Sequence, residues 1–326
     1  MCVVFDQILV PIDQSLLAES ILPHVISVSQ VFKSRVVLMH VLDSIHGAVS
    51  NQPTDPFDWQ IQRSGAQAYL KDVANRLDES GLKSETVLLE GNVSGQIIHY
   101  SNNSDTNLIM LSSHGQGGIS GWNMSSIATK IIQQAYTSIM IICPYPPPEK
   151  DPIWRCYHRI LAPVDGSKRA EHGLAIATNL ARAQGAELLI AQVIKPPELP
   201  RRIPLSEREQ GLVNQVVDAN RIEATAYLDE LQKRSNYPKT RTILLIDNLV
   251  TQELYTLVDQ KGIDLVVLTA HGLSGNPNVP YGNVAVNFLT YFKVPLLIVQ
   301  DFPRGWLVQA RSENHSTANL NKQGLS

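Results

Sequence analysis

The stretch Ile8-Leu9-Val10-Pro11-Ile12-Asp13-Gln14-Ser15 returns 152 residues later as Ile160-Leu161-Ala162-Pro163-Val164-Asp165-Gly166-Ser167. Further along, Leu108-Ile109-Met110-Leu111-Ser112-Ser113-His114-Gly115 returns as Leu265-Val266-Val267-Leu268-Thr269-Ala270-His271-Gly272, now at an offset of 157. Ser138-Ile139-Met140-Ile141-Ile142 returns as Pro295-Leu296-Leu297-Ile298-Val299 at the same 157. Three blocks in one order, with a small drift between them, signify duplication with insertions. The period is that of a whole domain, not of a solenoid unit. The length agrees, since 326 residues at about 150 per domain make two.

Each copy alternates short apolar runs with helical periodicity. In the first copy Gln7–Ile12, Arg35–Leu42, Leu108–Ser112 and Ile139–Cys143 read as strands buried on both faces, with Ser84–Leu89 a more polar candidate for the third strand. Helical spacing runs over Leu16–Phe32, with Ser15 as N-cap, and over Asp58–Leu77, Gly95–Asn102 and Ser126–Tyr136. The second copy repeats the pattern at Arg169–Ala183, Glu207–Arg234, Thr251–Gln260 and Val284–Phe292. Strands that alternate with helices imply an α/β fold: two tandem doubly wound, Rossmann-like domains, each a five-stranded parallel sheet flanked by helices.

The expected organisation is a first domain over 1–146, a Pro-rich linker over 147–154, a second domain over 155–302 and a polar, disordered tail over 303–326. Clustered prolines between the copies stop both helix and inner strand. The tail offers little apolar surface to offset the entropy of ordering.

Composition narrows the class. Hydrophobic residues at 44% and charged residues at 17% suit ordinary packed cores. A net charge of −3 excludes a broadly basic nucleic-acid coat. Three cysteines (Cys2, Cys143, Cys156) are too few for a disulfide framework and favour a reducing compartment. Cys143, at a strand end, reads as a buried small hydrophobe. The first ten residues lack the basic region of a secretory signal, and no apolar run approaches the roughly 18 residues of a bilayer span. The expectation is a cytoplasmic protein that engages neither membrane nor nucleic acid.

In doubly wound sheets, ligands bind beyond the carboxyl ends of the strands where strand order reverses. Asp13 and Asp165 end the first strand of each copy, and Val41 and Val193 close the second. Ser112-Ser113-His114-Gly115 and Thr269-Ala270-His271-Gly272 follow the fourth. Next come a Gly-rich loop, Gln116–Gly121, and Ser125-Ser126 before a helix. Glycines admit a ligand close to the backbone, and a helix N-terminus presents free N–H groups to an anion. The combination suits a phosphate. It is neither a Walker loop, since G-x-x-x-x-G-K-[ST] is missing, nor a dinucleotide fingerprint, and Gly91-Asn92-Val93-Ser94-Gly95 has the wrong spacing for a nucleophile elbow.

At these residues the chain resembles tandem universal stress proteins, over residues 2–146 and 155–302. The resemblance implies the adenine nucleotide alpha hydrolase-like fold and, in one branch of the family, binding of ATP or another adenine nucleotide, with or without Mg²⁺. The family motif is Gly, two residues, Gly, nine residues, then Gly and Ser or Thr. It falls on Ser112, Gly115, Ser125 and Ser126 in the first copy and on Thr269, Gly272, Gly282 and Asn283 in the second. By the same resemblance Pro11, Ile12 and Asp13, with Pro163 and Asp165, face the ribose or adenine side. Val41 and Val193 meet the adenine edge through their backbone, and Leu111, His114 and Ile127 border the pocket.

The spacing is kept in both copies, but the residue types are not. Ser112 and Thr269 put a Cβ where the family has Gly, and Ser125 does so at the third Gly. The second copy keeps Gly282, loses the hydroxyl at Asn283 and adds Pro277 and Pro280, each deleting a backbone donor. The first copy is therefore the better candidate.

Plainer roles stand beside these. Asp13 and Asp165 suit the turn after a strand as well as a nucleotide contact. His114 and His271 recur at one position and serve either a loop hydrogen bond or a ligand. No His, Ser and carboxylate form a recognisable triad, and no histidines have zinc spacing. Slow hydrolysis would have Asp13 as its one evident acidic candidate, and the S-G-G-x-D-S loop of adenylating relatives is missing. The reading is a stress-responsive regulator acting through unidentified protein partners, with a nucleotide-free scaffold as the alternative. The two copies are expected to pack as a pseudo-dimer, with further self-association to a homodimer.

Overall fold

A computed structural model describes residues 5–43, 56–114, 124–143, 155–197, 205–273, 275, 279–291 and 293–301. In the first half the elements are β1 (Gln7–Pro11), α1 (Leu16–Glu19), α2 (Leu22–Phe32), β2 (Arg35–Leu42), α3 (Pro56–Glu79), β3 (Ser84–Glu90), α4 (Val93–Asn103), β4 (Leu108–Ser112), α5 (Ser126–Gln134) and β5 (Ser138–Ile142). In the second they are β6 (Arg159–Val164), α6 (Ala170–Gln184), β7 (Glu187–Ile194), α7 (Glu207–Ser235), β8 (Thr240–Ile246), α8 (Val250–Lys261), β9 (Leu265–Thr269), α9 (Asn283–Tyr291) and β10 (Leu296–Val299).

The inner strands β1, β4, β5 and β9 are buried along nearly their whole length, because helices cover both faces. The outer strands β3 and β8 are half-exposed and carry Ser84, Glu85, Thr86 and Arg241, which accounts for their weaker apolar signal.

Within each half all neighbouring strands are parallel, in the order 3-2-1-4-5 and its counterpart. The halves do not form separate sheets. Antiparallel pairing of β5 with β10 joins them into one ten-stranded sheet, β3-β2-β1-β4-β5-β10-β9-β6-β7-β8. The register is Leu296 opposite Ile141, Leu297 opposite Met140 and Ile298 opposite Ile139. Two apolar cores follow, one on each face, and both run across the seam. Side chains tie the seam further: Ser138 Oγ accepts from Gln300 N at 3.0 Å, and the Tyr281 hydroxyl donates to Thr137 O at 3.2 Å. His24 Nδ1 meets the Tyr157 hydroxyl at 2.6 Å, and Ser27 Oγ donates to Arg155 O.

Two expectations need correction. Leu16–Phe32 is not one helix, for α1 ends at Glu19 and α2 starts at Leu22 with a proline in its first turn. Pro23 lacks the N–H for Glu19 O, and its ring collides with that carbonyl. The second half has Ala175 at the matching position, and α6 runs unbroken. Cys143 lies just past β5 and is half-buried, not a core residue.

The linker over 147–154, the tail, Cys2, Trp122, Trp154 and Trp306 lie outside the described residues, while Trp59 sits half-buried on α3. No helix among the described residues is long and apolar enough to cross a membrane.

Candidate functional site

The carboxyl ends of β1 and β4 and the start of α5 converge in the first half. Ser113 N donates to Ile142 O and Ser125 N donates to Ser113 O, both at 2.9 Å, so the entry to α5 is pinned to the end of β4. Ser125 is the helix N-cap, its hydroxyl accepting from Ala128 N at 3.2 Å. Ser126 and Ile127 follow as exposed first-turn residues, whose N–H groups a helix leaves without intrahelical partners. Their dipole end favours an anion.

His114 stands beside them, 8% exposed. Its Nδ1 meets Ser113 Oγ at 2.9 Å. Its Nε2 is buried and finds no hydrogen-bond partner among the described residues. Ser112 Oγ accepts from His114 N at 3.4 Å. Gly115, and the loop that follows it to residue 123, lie outside the described residues.

At the end of β1, Asp13 Oδ1 accepts from Ser15 N at 3.1 Å and from Ser15 Oγ at 2.5 Å. Asp13 thus orders the turn into α1, the plainer of its two roles. Pro11 is half-buried at the tip of β1, and Ile12, Leu111 and Val41 are buried. His40, next to Val41 near the end of β2, fixes this corner. Its Nδ1 donates to Ile12 O at 2.7 Å, leaving Nε2 to accept from the Gln14 amide at 3.3 Å.

The second half repeats the backbone frame. Ala270 N donates to Val299 O and Gly282 N donates to Ala270 O, at 2.8 and 2.7 Å. A Cβ built on Gly282 would lie 3.4 Å from Ala270 O, an ordinary contact, so Ser125 fits the same place in the first half without strain. Asn283 is exposed at the start of α9, and Pro163 and Val193 are half-buried.

The side chains, however, differ. Thr269 Oγ1 donates to His271 O at 2.9 Å. Asp165 accepts from Ser167 N at 3.0 Å through Oδ1 and from Leu273 N at 2.7 Å through Oδ2. That carboxylate lies where a side chain at Gly272 would start, since a Cβ there would sit 2.0 Å from Asp165 Oδ2. His271 Nδ1 meets Asp301 Oδ1 and its Nε2 meets Val279 O, both at 2.8 Å. Arg169 Nε approaches Asp301 Oδ2 at 3.6 Å, and Arg169 Nη1 reaches Gly275 O at 3.5 Å. The first half has Leu17 and Pro144 where the second has Arg169 and Asp301. Asp301 and Arg169 escaped sequence reasoning because neither recurs between the copies. Among the described residues, no three His, Cys, Asp or Glu side chains gather as a metal site.

The fold and the strand-tip site define a duplicated doubly wound module with the N-terminus of α5 at its strand tips. The model of the universal stress protein family matches residues 5–142 and 157–300, and the chain belongs to that family. Two universal stress proteins of Methanocaldococcus jannaschii are similar. MJ0531 is 23% identical over 140 residues, covering 42% of this chain and 82% of that protein. MJ0577 is 20% identical over 157 residues, covering 44% and 97%.

Among solved structures, a universal stress protein of Archaeoglobus fulgidus aligns over 91% of this chain and 99% of its own, at 15% identity and a TM-score of 0.63. The functionally unknown PA1789 of Pseudomonas aeruginosa aligns over 95% and 98%, at 17% identity and a TM-score of 0.66. Both extend the fold likeness across the tandem. A universal stress protein solved in complex with cAMP is 21% identical and covers 45% of this chain, with a TM-score of 0.35.

Proposed function

We infer that the first half binds an adenine nucleotide at the tips of β1 and β4, and that the chain is a cytoplasmic stress-responsive regulator whose partners read the bound state. The observation that carries this reading is the buried His114 Nε2, without a partner among the described residues, next to the N-terminus of α5. A buried polar atom left unsatisfied costs about 1–3 kcal/mol, and a phosphate oxygen would satisfy it. In this reading the N–H groups of Ser126 and Ile127 take the phosphates. Asp13 and the Val41 backbone face the ribose and adenine. Leu111 and Ile12 form the apolar floor.

The scaffold reading suits the second half. There Asp165 takes the Leu273 N–H, and Asp301 sits between His271 and Arg169. Donors that would serve a ligand already serve the protein.

The test is full-length protein purified without added nucleotide, denatured, and its released small molecules identified by chromatography and mass spectrometry. Adenine nucleotide at no more than one per chain is expected. Saturation at about 100 times the dissociation constant stabilises the fold by about 2.7 kcal/mol. His114→Ala lowers affinity on the order of tenfold or more, and Asp301→Asn leaves it unchanged. Empty preparations with no thermal shift at millimolar ATP–Mg²⁺, ADP, AMP or cAMP would sink the reading.

A further inference from the structure

On the second half, α8 and α9 border a cleft. It runs along α8 from Thr251 to Asp259 and down to Val266 and Leu296, near the amino ends of β9 and β10. This is the edge of the sheet opposite the strand-tip site. Its volume is about 340 Å³. That lies within the several hundred Å³ of small-molecule sites and far above the voids of a packed interior.

Its origin lies in the divergence of the two copies. Tyr255 and Phe288 stand where the first half has Ile98 and Ile131. Their rings meet with centroids 4.7 Å apart, and the Tyr255 hydroxyl donates to Asn287 O at 2.7 Å. The tilted ring pair acts as a spacer, and α8 and α9 approach each other less than α4 and α5 do. Beneath the spacer the wall is apolar, made of Val258, Val266, Val294 and Leu296. At the rim the Lys293 ammonium lies 3.5 Å from Asp259, with both side chains more than half exposed.

We propose that this cleft binds a small aromatic carboxylate, its ring between the Tyr255–Phe288 pair and the valines and its carboxylate on Lys293. The apolar wall and the two rings favour a flat hydrophobic body. Among the described residues the rim cation pairs with an exposed acid, so an incoming carboxylate competes for it at little cost. The site is independent of the nucleotide site and does not rest on it.

Naphthoate titrated into the full-length chain, followed by calorimetry and by methyl NMR of the valines, tests the assignment. Saturable binding at one site per chain is expected, with shifts at Val258 and Val266. Val294→Phe fills the cleft and lowers affinity on the order of tenfold. Lys293→Gln, at an exposed position that leaves folding intact, weakens naphthoate about fivefold and leaves neutral naphthamide unchanged. No saturable binding at millimolar naphthoate overturns the proposal, and so does binding that survives both variants. A chain dimer that Tyr291→Ser dissociates, without naphthoate binding, would assign the cleft to a second copy and overturn it too.

Discussion

Met140 of β5 and Leu297 of β10 lie directly opposite each other, and they occupy equivalent places in the two copies. Their neighbours are exchanged about this point: Ile139 faces Ile298 and Ile141 faces Leu296. An isologous contact of this kind is how a two-fold dimer pairs identical edges, here made within one chain. Both residues are fully buried in the core shared by the halves. Leu297→Ala is expected to cost about 2–5 kcal/mol. Chemical denaturation should show a single transition moved to lower denaturant. A separate early transition of one half would mean that the seam does not couple them.

His24 predicts an acid-side loss of stability. It is buried at the seam, and burial, with the nearby Arg155 cation, lowers its pKa to about 3. The unfolded chain keeps the ordinary value near 6.5. Between these values the unfolded state binds the extra proton, so stability rises with pH across the window and falls as pH drops from about 6.5 toward 3. The slope approaches about 1.4 kcal/mol per pH unit for this one group. His24→Gln should flatten that limb of the stability profile. An unchanged slope in the variant would refute the assignment.

The Tyr157 hydroxyl belongs to the same device. It is the partner of His24 Nδ1 at 2.6 Å, and burial raises its own pKa. Tyr157→Phe leaves the imidazole nitrogen without a partner in an apolar setting, which costs about 1–3 kcal/mol. Calorimetric unfolding at neutral pH measures this. A loss below about 0.5 kcal/mol would show that the contact contributes little.

The doubly wound architecture was legible because the copies repeat the residues that build it. The hydrogen bond from Ser125 N to Ser113 O recurs as Gly282 N to Ala270 O, at the separation shared by the repeated blocks. The apolar run at Ser138–Ile142 revealed a strand, but a short run names no partner, so the antiparallel pairing with β10 was invisible. Of the candidate site, the Asp turns and the helix N-cap follow from local chemistry. The contacts of Asp301 with His271 and Arg169 join residues distant in sequence, on positions that the first copy does not share. His40 stands at a strand tip in the sequence, but its partners, Ile12 O and the Gln14 amide, come from a neighbouring strand tip and could not be read there.

Lys33 and Gly185 hold the same C-cap position in α2 and α6, both in left-handed backbone at φ 56° and 67°. A side chain there costs about 1 kcal/mol against glycine. Opposite effects are therefore expected from reciprocal changes. Lys33→Gly stabilises by about 0.5–1 kcal/mol, and Gly185→Ala destabilises by about 1 kcal/mol. Thermal unfolding of both variants checks the pair, and shifts of the same sign would contradict it.

Gly272 and Asp165 form the tightest approach at the second strand-tip site. A methyl at Gly272 would sit 2.0 Å from Asp165 Oδ2, too close for any relaxation that keeps the carboxylate on Leu273 N. Gly272→Ala must push the acid off that N–H, losing a charge-assisted bond worth about 1.5–3 kcal/mol. Asp165→Ala loses the same bond by another route and removes the obstacle. The double variant is therefore expected to be more stable than the sum of the two single losses predicts, with a coupling of about 1–2 kcal/mol. Additive losses would place the carboxylate elsewhere. Because this contact lies in the half whose donors the protein itself occupies, Gly272→Ala should leave nucleotide stoichiometry unchanged. A fall in bound nucleotide on this single substitution would assign the ligand to the second half instead of the first.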